Sequence, residues 1–86
     1  GLQIAAEVTT NRGRIDAVIE LSDRIYLFEF KINSSAQKAL EQVVSNEYYQ
    51  RYLSQPKPIH LVGVNFSTRK RAVSGWKEEL IKPAKS

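Results

Sequence analysis

Cysteine and methionine are absent from this 86-residue chain, and histidine and tryptophan occur once each. Without cysteine there is no disulfide framework, no thiolate zinc site and no sulfur nucleophile. A reducing, cytoplasmic setting fits that composition. No apolar run is long enough to cross a bilayer and no secretory leader pattern is visible, so no membrane partner is expected. Charge of one sign is scarce too: 13 Lys and Arg against 9 Asp and Glu leave a formal +4. The sign favours a polyanionic partner, although a surplus this small is by default a solvated surface. The basic residues gather at Arg69-Lys70-Arg71, at Arg12 and Arg14, and in a C-terminal scatter of Lys77, Lys82 and Lys85. A chain of this length makes one small domain with a limited core. We expect that domain to span 1–81, with 82–86 as a fraying tail. The sequence opens at Gly1, without Met and already alternating, which reads as a domain cut from a longer protein.

Residues 2–10 alternate, with Ile4, Ala6 and Val8 on one side and Gln3, Ala5, Glu7 and Thr9 on the other, as in a half-buried strand. Asn11-Arg12-Gly13 signals a turn. A second strand over 14–21 puts Ile15, Ala17, Ile19 and Leu21 on one face. Matching the apolar faces sets Val8 opposite Ile15 and Glu7 opposite Asp16. Residues 25–32 are apolar on both faces, as in a central strand, and the Tyr26, Phe28, Phe30 and Ile32 side is expected to carry the main core. Asn33-Ser34-Ser35 offers helix caps. The helix is expected to run to about residue 53, with Ala36, Ala39, Leu40, Val43, Val44 and Tyr48 as its buried stripe. Pro56 and Pro58 bracket a break. A strand over 59–66 follows, in which Gly63 signals close backbone approach. A turn at 67–70 leads to a last strand over 71–77, where Trp76 covers an edge of the core. The order is β-β-β-α-β-β: an α/β fold with a mixed sheet, whose crossover helix sets the fourth strand parallel to the third and beside it.

Two carboxylates stand out against this background. Glu29 and Lys31 share a face of their strand, because Phe30 between them points the other way. A two-residue hairpin loop at Ser22-Asp23 pairs Leu21 with Arg24, Val18 with Leu27 and Asp16 with Glu29. Carboxylates with Cβ atoms about 5 Å apart repel unless positive charge lies between them. A divalent metal and the Lys31 ammonium would supply it. A one-residue slip would separate the pair. Taken alone, the pair is more simply a cross-strand ion pair with lysine on a solvated face.

Three strings taken together alter that balance: Gly13-Arg14-Ile15-Asp16, Phe28-Glu29-Phe30-Lys31 and Ala36-Gln37-Lys38-Ala39-Leu40-Glu41-Gln42. An acidic residue followed later by E-x-K is weak evidence; the same signature between apolar strands and before an A-x-x-A-L-x-Q helix is far more specific. The chain resembles the PD-(D/E)XK nuclease superfamily. More narrowly, it resembles the nuclease-like domain at the C-terminal end of bacterial and archaeal proteins that begin with an AAA-ATPase-like domain. The resemblance continues through Val62-Gly63-Val64-Asn65-Phe66-Ser67 to Trp76, and departs from the motif at Ile15, where relatives often carry Pro.

That resemblance implies a restriction-endonuclease-like fold and metal-dependent hydrolysis of DNA. Asp16 and Glu29 would bind Mg²⁺ or Mn²⁺, with the Phe30 carbonyl as a third ligand; hard oxygen donors suit such an ion. The metal acidifies its water and polarises the phosphate, and Lys31 orients the water or stabilises developing charge. Glu7 is either a further metal ligand or a surface residue at the rim. In related nucleases a helix Gln, often with a Tyr beyond it, borders the site and touches the substrate or a metal-bound water; here that is Gln42, with Asn46 and Tyr49 at i+4 and i+7 on one polar ridge, and the alternative is a helix rim bonded to solvent. Arg14, expected beside Lys31, binds phosphate or pairs with a carboxylate. Arg69-Lys70-Arg71 is either solvated or a DNA-backbone contact. His60 reads as a satisfied structural residue, and one histidine without cysteine argues against HNH-type nucleases and zinc deaminases. Relatives begin with a helix that is absent here or lies upstream of Gly1. The Asp16, Glu29 and Lys31 face, with Val18, Ile25 and Leu27, is therefore expected to be exposed, to be covered by a homodimer partner or by the ATPase-like parent. The competing function is a catalytically inactive nucleic-acid- or protein-binding or oligomerisation module on the same fold.

Overall fold

The computed structural model describes the backbone of residues 3–10 and 13–83 and the side chains of 15–83. Five strands, β1 (Gln3–Thr10), β2 (Gly13–Glu20), β3 (Ile25–Ile32), β4 (Ile59–Ser67) and β5 (Ala72–Ile81), form one sheet in sequence order. Helix α1 (Ala36–Ser45) and a short 3₁₀ turn (Tyr48–Tyr52) cross from β3 to β4. That crossover makes β3 and β4 parallel, while every other pair is antiparallel. The expected element order and the restriction-endonuclease-like arrangement are what the chain adopts.

The hairpin between β2 and β3 closes as its sequence dictates. Leu21 N–H donates to the Arg24 carbonyl at 2.8 Å, and Val18 pairs with Leu27. In the exposed turn Arg24 bonds Asp23 at 3.1 Å, a hydrogen bond that holds the Asp23 carboxyl below its ordinary range. Between β1 and β2, Val8 lies opposite Ile15.

The core lies on a different side of the sheet from the one expected. Ile25 and Leu27 are fully buried with Val18, Val43, Ile59 and Leu61, while Phe30 is 37% and Ile32 65% exposed. Ile25, Leu27, Glu29 and Lys31 therefore face α1, and the Tyr26, Phe28, Phe30 and Ile32 side is open. Gly63 is the reason. A Cβ there would lie 2.2 Å from the Leu40 nitrogen and 2.8 Å from the Ala36 carbonyl oxygen, so only glycine lets the helix backbone rest on β4. Gly63 pairs with Glu29, and direct partners share a face. The helix is thereby fixed over the Glu29 side. The expectation of an exposed face is overturned by the same packing at Glu29, Val18, Ile25 and Leu27, while Asp16 and Lys31 are half-buried. Trp76 pairs with Val64 on the open side and is 63% exposed, so it does not cover the core edge.

Helix α1 begins where the serines offer a cap: Ser35 Oγ accepts the Lys38 N–H at 3.1 Å. It ends earlier than its apolar stripe suggests. Asn46 closes it, Glu47 adopts a left-handed φ of 59°, and the Asn46 side chain accepts the Tyr48 N–H at 2.9 Å. The asparagine thus offers the backbone an alternative to another helical turn. Tyr48 is still buried, but from the 3₁₀ segment, where Arg51 lies 4.1 Å from its ring centroid.

Candidate active site

Asp16 marks the place where the β2–β3 ladder opens. The register runs Glu20 with Ile25, Ile19 with Tyr26, Val18 with Leu27 and Ala17 with Phe28, and pairing stops there. The next step would oppose Asp16 and Glu29 directly. Instead the Asp16 carboxylate turns across the gap, and its Oδ2 accepts the Phe30 N–H at 2.8 Å. In a ladder one residue's N–H and C=O serve the same neighbouring strand. The Phe30 carbonyl therefore opens toward the same edge as the Asp16 carboxylate. Glu29 shares the face of Leu27, on the helix-covered side, and Asp16 reaches the backbone of the next residue, Phe30.

Glu29 is 1% exposed, between the β3 backbone and α1. A carboxylate so deeply placed is costly to keep charged without compensating charge or hydrogen bonds. Lys31, half-buried, follows on the same face and pairs across the sheet with Asn65. Among the described residues no group of three or more His, Cys, Asp or Glu side chains converges. The candidate donor set is two carboxylates and one main-chain oxygen. Its all-oxygen chemistry fits a hard divalent cation better than a soft one.

The other predicted site residues are distributed as follows. The register that pairs Ala6 with Ala17 and Val8 with Ile15 carries Glu7 opposite Asp16 along the backbone. The side chains of Glu7 and Arg14 lie outside the described residues. Gln42 is half-buried on α1, one turn from its end. The ridge from Gln42 through Asn46 to Tyr49 does not form. The chain leaves helical geometry at Glu47, and Tyr49 packs against the hydrophobic core from the 3₁₀ segment. His60 bonds Glu78 through Nδ1 and stacks on Tyr26 with ring centroids 4.6 Å apart, on the open face away from the carboxylates. Arg69, Lys70 and Arg71 are exposed at the β4–β5 turn.

One residue beside the site escaped the sequence analysis. Asn65 is 5% exposed and makes hydrogen bonds to both flanking elements. Its Oδ1 accepts the Ser34 N–H at 2.9 Å ahead of α1, and its Nδ2 donates to Ser74 Oγ at 2.8 Å. Ser74 is the extra residue of an irregularity in the β4–β5 register, which pairs Asn65 with Gly75 but Phe66 with Val73. Asn65 thus joins the entry of the helix to the strand beside Lys31. The available signal was a polar residue in the apolar run 59–66, directly before Phe66.

Comparison with known proteins agrees with this architecture. A family model described as the PD-(D/E)XK nuclease superfamily matches residues 1–76. A protein of Azotobacter chroococcum mcd 1, described as an uncharacterized protein in the vnfD 5' region, is 40% identical over 78 residues, which is 88% of this chain. The chain spans 15% of that relative's length. No solved structure matches. With a family match that covers β1 to β4, helix α1 and the first half of β5, the chain belongs to the PD-(D/E)XK nuclease superfamily.

Proposed function

We propose that this chain is a metal-dependent nuclease domain that hydrolyses phosphodiester bonds in DNA. The observation that carries the reading is one contact: the Asp16 carboxylate accepts the N–H of Phe30, the residue between Glu29 and Lys31. Asp16, Glu29 and the Phe30 carbonyl would hold Mg²⁺ or Mn²⁺. Such an ion, when bound, lowers the pKa of its water and draws charge from the phosphate. Lys31 donates hydrogen bonds to the attacking water or to a phosphate oxygen and stabilises the charge that develops there. Gln42 borders the same side from α1. The packing of α1 excludes bulk water from Glu29, which strengthens each of these electrostatic contacts.

The resemblance proposes an ATPase-like domain of a longer parent, and a second copy of the chain, as further partners. The 15% coverage of the relative makes the parent the natural second sample in any assay. The test is cleavage of supercoiled plasmid and labelled single-stranded DNA in Mn²⁺ or Mg²⁺, by wild type, Lys31→Ala and Glu29→Gln. Cutting that needs metal and disappears in both variants is the expected result. One observation favours the second reading, a non-catalytic binding module: Glu29 is almost fully enclosed. Absence of cutting by both chain and parent would establish that reading instead.

A further inference from the structure

The β4–β5 turn carries three consecutive cations, Arg69, Lys70 and Arg71, all exposed. Among the described residues none of the three forms an ion pair. The turn is nevertheless held in place. Asn33, at the end of β3, clasps Thr68 twice: its Nδ2 donates to Thr68 Oγ1 at 2.9 Å, and its Oδ1 accepts the Thr68 N–H at 3.1 Å. Lys70 N–H donates to Ser67 Oγ at 3.1 Å, and Arg71 takes a left-handed φ of 53° that reverses the chain. A solubilising tip has no need of such anchorage, because charge works from a mobile loop as well as from a fixed one.

The anchor also fixes where the tip stands. Asn33 lies two residues beyond Lys31, just past the end of β3, and Thr68 immediately precedes Arg69. The cations therefore occupy the end of the sheet at which β3 presents Lys31. Asn33 is four positions after Glu29, about 13 Å at ~3.3 Å per strand residue. A nucleic-acid strand covers that distance in about four nucleotides at ~3.4 Å each. The carboxylates of β5 offer no competition there: Glu78 and Glu79 pair with Val62 and Leu61, farther down the sheet.

We propose that the Arg69-Lys70-Arg71 turn is a preset phosphate clamp, which grips the backbone of the strand whose scissile phosphate lies at Asp16 and Glu29. The identity of the polyanion rests on the nuclease reading. The clamp reads charge and spacing, not base identity, because guanidinium and ammonium groups at a tip meet phosphates and carry no sequence information.

The test is binding of a fluorescent 20-nucleotide single-stranded DNA without divalent metal, between about 50 and 200 mM salt. Each lost phosphate contact reduces the slope of log affinity against log salt by about 0.7 on a single strand. The variant Arg69→Ala/Lys70→Ala/Arg71→Ala should lose about 2 from that slope. Arg69→Lys/Arg71→Lys, which keeps the charge, and Lys82→Ala, at the opposite end of β5, should keep the wild-type slope. Thermal melting of each variant verifies folding, which substitutions at an exposed turn leave intact. An unchanged slope in the triple variant, or wild-type binding that does not depend on salt, overturns the clamp. The two readings fail separately: binding with the expected slope but no cleavage in Mn²⁺ by either the chain or its parent removes the nuclease and keeps the clamp as a nucleic-acid contact, whereas cleavage with an unaltered slope does the reverse.

Discussion

The two faces of β3 are both apolar, yet only one is a core. Ile25 and Leu27 lie fully buried beneath α1 with Glu29 beside them, while Phe30 and Ile32 on the opposite side remain exposed. Aromatic bulk did not decide between them. The larger side chains sit on the open face, where Tyr26, Phe28 and Phe30 stack in a row with centroids about 6 Å apart. The deciding residue is the smallest one, Gly63, which lets the helix backbone approach on one side alone. The candidate active site follows from that choice, because Glu29 is Gly63's partner and is drawn under the helix with it.

The largest test of this asymmetry compares substitutions at neighbouring positions. Leu27→Ala should lower unfolding stability in a denaturant titration by about 2–5 kcal/mol, whereas Phe30→Ala, on the same strand, should cost under about 1 kcal/mol. Equal losses would mean that the two faces are packed alike. Gly63→Ala should destabilise by about 3 kcal/mol, because the new Cβ meets backbone atoms of α1 that cannot rotate away. Calorimetric melting would detect it, and a neutral outcome would show that the helix does not rest on β4. Asn65→Ala should cost about 2 kcal/mol, since it strips a buried amide from the Ser34 N–H and Ser74. Faster hydrogen exchange in the first turn of α1 should accompany that loss.

The smallest effect concerns the aromatic pair beneath the covered side. Burial, with Tyr48 as its neighbour, pushes the Tyr52 phenol up to about 12 from its ordinary 10.0. The folded state thus holds this proton more tightly than the unfolded chain. Its contribution to stability is complete below pH 10 and is lost as pH rises toward 12. Tyr52→Phe should flatten the fall in melting temperature across that window, and a slope identical to wild type would assign the alkaline transition to other groups.

The features that were legible in the sequence are those that local chemistry determines. Ser22-Asp23 set the hairpin register, Ser35 capped the helix, and the alternation of Val8 and Ile15 fixed the pairing of β1 with β2. Gly63 was legible as a close approach, but the partner of that approach was not. A period of two assigns residues to faces without saying which face a helix will take. The helix end was concealed for a different reason. Tyr48 continued the apolar stripe, and nothing about Glu47 announces a left-handed residue. The same break moved Tyr49 off the expected ridge. At the site, strand parity and the family motif name Asp16, Glu29 and Lys31 as the candidates. The opening of the ladder at Asp16 was not, because it depends on a side chain displacing a backbone partner.

Asp16 and Glu29 are proposed to form one cation site. The most direct measurement is thermal melting in millimolar Mn²⁺ for wild type and Asp16→Asn. The asparagine keeps an oxygen to accept the Phe30 N–H and so preserves the local fold. A ligand at 100 times its Kd stabilises by about 2.7 kcal/mol, so wild type should melt several degrees higher with metal while Asp16→Asn stays unchanged. An equal response of the two proteins, or none in either, would contradict the claim.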